Sequence, residues 1–281
     1  YKKEVETEWR KEAYANVYDK ANTFKSRMSD YRLSSTTKPM TTTSSLSDAV
    51  TATANANAGV VSHTVEVAQA ATNAYFMTAT GQQIGRSNPS ALTSTKLRDI
   101  AFSGGTRPVG MLDGDTALSF KISNGTGTTE VKFTAEEVFT KDLTLNDLAN
   151  RINNARYMAS GKKTALDIRA NYDSVSDGFS LFNSKTGDSN KIDLTVDTTS
   201  ATYTTTLLNN LKLGRVSGGT ITPPMTLTTS SPTTVSMAAA GTNANVTIDG
   251  RNYANLQENK LEVNGVTYTF KKATPVGTPA Q

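Results

Sequence analysis

The chain has no cysteine and only one histidine in 281 residues. Without thiols there is no disulfide framework, no thiolate nucleophile and no Cys-ligated metal. The one histidine, His63, brings no nucleophile motif with it, so neither a Ser-His-Asp nor a Cys-His arrangement can be built around it. Long apolar runs are missing too: none approaches the roughly 20 residues that span a bilayer. Charge of one sign is scarce, since 29 Lys and Arg against 25 Asp and Glu leave +4. The cations are scattered, whereas a nucleic-acid surface concentrates them. Neither a nucleic-acid nor a membrane partner is therefore expected.

Other chemistry is equally thin. Glycines pair at Gly104-Gly105 and Gly218-Gly219 without forming a P-loop or a dinucleotide fingerprint. Asp113-Gly114-Asp115 and Gly187-Asp188-Ser189-Asn190 offer oxygen ligands but lack the terminal Glu of a calcium loop, and they read as turns. The expectation is a protein with no catalytic residues, no metal and no cofactor, and not an enzyme.

What is present is Thr, Ala, Ser and Asn around a 36% hydrophobic content. Thr is β-branched and suits half-buried strands, while Asn and Ser suit turns. The length allows two or three domains. Together these predict an α+β chain, mainly antiparallel β, with one long helix at the N-terminus.

That helix is signalled by Val5, Trp9, Ala13, Val17, Ala21, Phe24, Met28 and Tyr31. Every step is three or four residues, so the side chains form one stripe. The mean step is about 3.7 residues, nearer an 11-residue repeat than the heptad of a left-handed supercoil. Such a helix gains most of its stability by burying the stripe. It could lie on its own domain's sheet, but the stripe is longer than a small sheet covers. Packing on helices from outside the segment is the preferred reading, with Val5, Trp9, Ala13, Val17, Ala21, Phe24 and Met28 as the packing residues.

After the helix, Leu33–Asp48 is Ser- and Thr-rich and contains Lys38-Pro39, which blocks helix continuation. Ala49–Ala54, Val61–Val67 and Asn73–Thr80 read as strands, with His63 in register with Val61 and Val65 on a sheet face. A second β body runs from about 115 to 198, with alternation at Leu118, Phe120 and Ile122, at Val131 and Phe133, at Leu166 and Ile168, and at Ile192, Leu194 and Val196. Within it Thr144–Ala155 reads as a helix capped by Thr144, with Asp147 three residues on and Leu143 placed to staple against Leu148. Gly214–Pro232 reads as a return linker. Asp249-Gly250 and Asn264-Gly265 mark turns, and the second, between alternating strands, predicts a two-residue hairpin. The hairpin is expected to complete the sheet begun near Val61, making the middle module an insertion.

Four segments in this order resemble the flagellar filament cap protein family, hook-associated protein 2 or FliD. They are AYANVYDKANTFKSRM (Ala13–Met28), SHTVEVAQAATNA (Ser62–Ala74), TLNDLANRINNA with Ile168–Leu194, and Gly241–Pro279. Gln82–Met111 and Gly214–Pro232 match nothing in the family's pattern. The chain starts at Tyr1 without Met and reads as an internal fragment lacking both ends of the family's sequence.

The resemblance implies a helical leg and neck at 1–45 and an inner head domain at 46–112 and 214–281. An outer head at 113–213 would be inserted into the inner one. It implies a homo-oligomeric, ring-like plate at the filament tip, beneath which flagellin folds and inserts. Flagellin and the hook–filament junction proteins would be partners, with a host mucin or surface receptor as an additional one. Export by the flagellar type III apparatus would place the protein outside the cell, at the flagellum tip. The rival reading is a bacterial surface adhesin or carbohydrate-binding β-domain protein, whose mark would be aromatic residues on exposed strand faces.

Overall fold

A computed structural model describes residues 2–32, 40–197, 202–217, 219–231 and 233–281. The first half of the chain carries α1 (Lys2–Arg32), β1 (Val50–Ala54), β2 (Val65–Gln69), β3 (Asn73–Thr78), α2 (Leu97–Ala101), β4 (Thr116–Ser123) and β5 (Thr128–Thr134). Next come a π-helical turn (Glu136–Thr140), α3 (Leu145–Asn153), β6 (Arg156–Ala159), β7 (Lys162–Ala165), β8 (Ile168–Asp173), β9 (Gly178–Thr186) and β10 (Ile192–Asp197). The last part carries α4 (Thr202–Asn210), β11 (Leu213–Ser217), β12 (Thr220–Ile221), β13 (Thr228–Ser231) and β14 (Thr234–Ala239). It closes with β15 (Ala244–Ile248), β16 (Arg251–Leu256), β17 (Lys260–Val263) and β18 (Val266–Phe270). The fold is α+β with a long N-terminal helix and mainly antiparallel sheets, as expected.

Two compact units are present. The first comprises Tyr1–Glu66, Ile248–Gly250 and Lys260–Gln281, and the second Val67–Thr247 and Arg251–Asn259.

In the first unit, β1, β18 and β17 form an antiparallel sheet in that order. Asn264 and Gly265, both at positive φ (51° and 79°), make the two-residue turn that pairs Val263 with Val266. A right-twisted hairpin needs two left-handed residues there, and Asn-Gly adopts that geometry at least cost. The hairpin completes the sheet begun at Val50, not one begun near Val61. The strand expected over Val61–Val67 starts only at Val65, because Val60 and Val61 face solvent (91% and 66% exposed) and lack a partner strand. Val65 instead exchanges two 2.8 Å backbone bonds with Ala280. Nearby, Gln281 accepts from the Ser45 amide (2.8 Å) and donates its own to the Ser45 hydroxyl (2.9 Å).

In the second unit, two five-stranded sheets, β13-β14-β10-β4-β5 and β12-β11-β3-β9-β8, share one core. The alternations read from sequence supply it: Leu118, Phe120, Ile122, Val131, Phe133, Ile192, Leu194 and Val196 are all buried. A bulge between Thr116 and Leu118 turns Ala117 inward as well. The domain boundaries expected at 113 and 213 do not coincide with breaks in strand pairing. The middle strand of the second sheet, β3, pairs with β9 on one side and β11 on the other, so residues before 113 and after 213 join those between.

Gly214–Pro232 is no linker either, since it holds most of β11 and all of β12 and β13. Gly214 lets the chain pass close to itself: a Cβ there would stand 2.2 Å from the Thr222 carbonyl oxygen. β16, β15 and β2 form a further three-stranded sheet. Where the chain comes in and goes out, Thr72 and Thr242 are clasped by amide-to-carbonyl bonds in both directions (2.9 and 3.2 Å) and by a 2.9 Å hydroxyl contact.

The helix α3 forms as its cap predicts. Asp147 accepts from the amide and the hydroxyl of Thr144, both at 2.8 Å, and Leu148 and Ile152 are buried. The Asn153 side chain donates to the Ala170 carbonyl and accepts from its amide, occupying the free edge of β8.

Candidate functional site

The predicted packing residues all lie on α1, a single unbroken helix of 31 residues. Val5 is half-buried, and every described side chain from Glu6 to Met28 is exposed. Trp9 is 69% and Phe24 66% exposed. The helix does not lie on a sheet of its own chain. Ala13, Val17, Ala21 and Met28 complete a stripe that nothing among the described residues covers.

Two residues that the three- and four-residue spacing did not pick out belong with it. Tyr14 and Tyr18 are 75% and 68% exposed and sit one turn apart beside Ala21 on the helix surface. They widen the apolar surface beyond a single stripe, which is why polar and apolar faces contrast weakly along α1. The signal was available as a second i, i+4 pair. Elsewhere the helix is held by little: the Glu6–Arg10 contact is 3.7 Å long and open to solvent, where such pairs contribute little.

Trp9, Tyr14, Tyr18 and Phe24 are the exposed aromatics among the described residues. Among the described residues the large exposed hydrophobics away from α1 are Val, Leu and Met, and no aromatic stands exposed on a strand. The tyrosines and phenylalanines of the β-rich units are buried or half-buried.

The remaining candidates for chemistry resolve into structural contacts. His63 is not on a sheet face. It lies in the coil before β2, its Nδ1 2.6 Å from Asp249 Oδ2 in the β15–β16 turn, with its ring edge-on to Tyr268. Asp249 also accepts from the Thr64 amide at 2.9 Å, and the hydrogen bond from His63, reinforced by that amide, holds its carboxyl below the usual range. Arg86 is almost wholly buried and forks onto Asp177 (Nη2–Oδ1 2.8 Å), tying the segment after β3 to the β8–β9 turn. Asp188 is held below the usual carboxylate range by the Gln257 side chain, then by Asn243, with Ser189 adding to it. Among the described residues no three His, Asp or Glu side chains are grouped to hold a metal ion, and no helix is long and apolar enough to cross a membrane.

Comparison with known proteins places the chain. Residues 1–74, covering α1 to the start of β3, match the family model of the flagellar hook-associated protein 2 N-terminus. A search of curated protein sequences finds no match. Among solved structures, the three-domain D1-D2-D3 structure of the flagellar cap protein FliD from Escherichia coli superposes with a TM-score of 0.54 at 17% identity. That match covers 95% of this chain and 61% of the other, so the chain spans under two thirds of that structure's length. The D2-D3 structure from the same organism gives a TM-score of 0.52 at 19% identity, covering 85% of this chain and 96% of the other. Residues 1–74 are thus similar to the N-terminus of flagellar hook-associated protein 2, and the chain has the fold of flagellar cap protein domains.

Proposed function

We propose that the chain serves as a structural capping protein at the distal end of a bacterial flagellar filament. The observation that carries this reading is the family match over residues 1–74, which includes the helix that bears every aromatic side chain exposed among the described residues. In this reading α1 is a leg element, and its Val5–Met28 stripe packs against helices not present in this chain. The β-rich units associate with those of further copies into a ring-like plate, and flagellin folds and joins the filament beneath it. The work is steric: no bond is made or broken by the cap. Flagellin, further copies of the same chain and the hook–filament junction proteins are the partners, reached after export through the flagellar type III route.

Deleting the full-length gene and restoring it from a plasmid tests the reading. Short or missing filaments with flagellin lost to the medium, reversed on restoration, are the expected result. Normal filaments after deletion would overturn it. The adhesin reading has no comparable support, since its mark, aromatics on exposed strand faces, does not occur among the described residues.

A further inference from the structure

The sequence contains two Asn-Gly pairs, Asn124-Gly125 and Asn264-Gly265. Asn-Gly is the dipeptide most open to spontaneous deamidation, because a glycine offers no side chain to hinder attack by its own backbone nitrogen. The fold treats the two pairs in opposite ways.

Asn124 is 5% exposed and its side-chain amide is held by three hydrogen bonds. The side-chain nitrogen donates to the Leu166 carbonyl (2.7 Å), and the oxygen accepts from the amides of Thr126 (2.9 Å) and Gly127 (2.8 Å). Both glycines are closely approached, a Cβ at Gly125 standing 2.3 Å from the Ser189 carbonyl oxygen and one at Gly265 2.7 Å from Asn55 Oδ1, so the contrast lies in the asparagines. Rotating the Asn124 side chain toward the Gly125 nitrogen would break all three bonds and leave buried groups unpaired. Asn264, in contrast, is exposed at the tip of the β17–β18 turn, and no hydrogen bond holds its side chain among the described residues.

We propose that Asn264 is a site of non-enzymatic modification, in which water converts it to aspartate and isoaspartate while Asn124 is protected by the fold. The Gly265 backbone nitrogen attacks the Asn264 side-chain carbonyl carbon, the Cγ–NH2 bond breaks, and ammonia leaves with the proton from the attacking nitrogen. Water then opens the succinimide at one of its two carbonyls, giving aspartate or isoaspartate. Either product adds one negative charge at the turn. The isoaspartate also inserts a methylene into the main chain of a two-residue loop whose geometry sets the Val263–Val266 pairing. The change reaches further, because the Gly265 carbonyl accepts from the Asn55 amide at 2.9 Å and β18 is the central strand of its sheet.

The experiment incubates this 281-residue chain at mildly alkaline pH, native and in urea, and follows both sites by peptide mass spectrometry, with isoaspartate detected by enzymatic methylation. In the native chain Asn264 is expected to convert more than roughly tenfold faster than Asn124, whose three side-chain hydrogen bonds must break first. In urea the two rates should come within a few-fold of one another. Equal or inverted rates in the native chain would overturn the proposal, as would a ratio unchanged by urea, which would assign the difference to local sequence. An Asn264→Asp variant, carrying the charge without the longer backbone, separates the two consequences.

Discussion

The helix α1 and the second β-rich unit solve the same problem in opposite ways. In the second unit the large side chains are inside: Phe76, Phe102, Phe133 and Phe179 are each at most 1% exposed. In α1 the large side chains are outside, and a helix with a bare apolar surface gains little from it. The body is held by what it contains and the helix by what it has yet to meet. Composition already hints at it, since α1 carries 14 Lys, Arg, Asp and Glu in 31 residues while the whole chain is 19% charged. The difference lies in whether the periodic residues find a facing element within the chain.

Core and helix substitutions should break this comparison most sharply. Phe133→Ala removes a ring with no exposure that also carries the Arg151 guanidinium 4.1 Å above it. It should cost about 3–5 kcal/mol in urea unfolding. The pair Trp9→Ser and Phe24→Ser should stay within about 0.5 kcal/mol in the same chain, as surface substitutions do. In the full-length protein the same pair should lower both helix content and stability. No change there would end the packing role proposed for α1.

A smaller effect is expected at the cap of α3. Asp147→Ala leaves the Thr144 amide and hydroxyl without their acceptor. The loss should be about 1 kcal/mol, read from the urea midpoint.

The smallest effect is a change in pH dependence. Glu137 is held below its ordinary value of 4.5, first by its hydrogen bond from Arg151 and also by the Thr134 amide. A carboxyl lowered on folding contributes its full stability above its unfolded pKa and loses it as pH falls through the lowered folded value. Glu137→Gln should therefore leave a chain that is less stable near neutrality but loses less on acidification below that range. Parallel stability–pH curves for the two proteins would show that Glu137 contributes nothing to acid sensitivity.

Local features of the fold were legible in the sequence. The capping pair Thr144/Asp147, the Asn264-Gly265 turn and the alternation through Leu118, Phe120 and Ile122 each arise within a few residues, and each is present. Long-range choices were not. Nothing near Val266 states that β18 pairs with β1, some 200 residues earlier, rather than with β2. Val60 and Val61 carry strand propensity, which is overruled because no strand among the described residues pairs with them. In the stretch after Gly214 glycines and prolines read as a linker, but its β-branched residues pair β11 with β12. At the proposed site the stripe was readable from Val5 to Met28. Tyr14 and Tyr18 were missed because a single-stripe template leaves no place for a second row.

The Thr72–Thr242 clasp has a mechanical meaning. It joins the chain on the way into residues 73–241 to the chain on the way out, through two backbone bonds and a hydroxyl contact. A pull applied along the backbone outside that loop is short-circuited at the clasp. Everything between Asn73 and Gly241 stays slack until those bonds rupture. The many strands inside the loop can then keep their pairing while the chain on either side of it bears load.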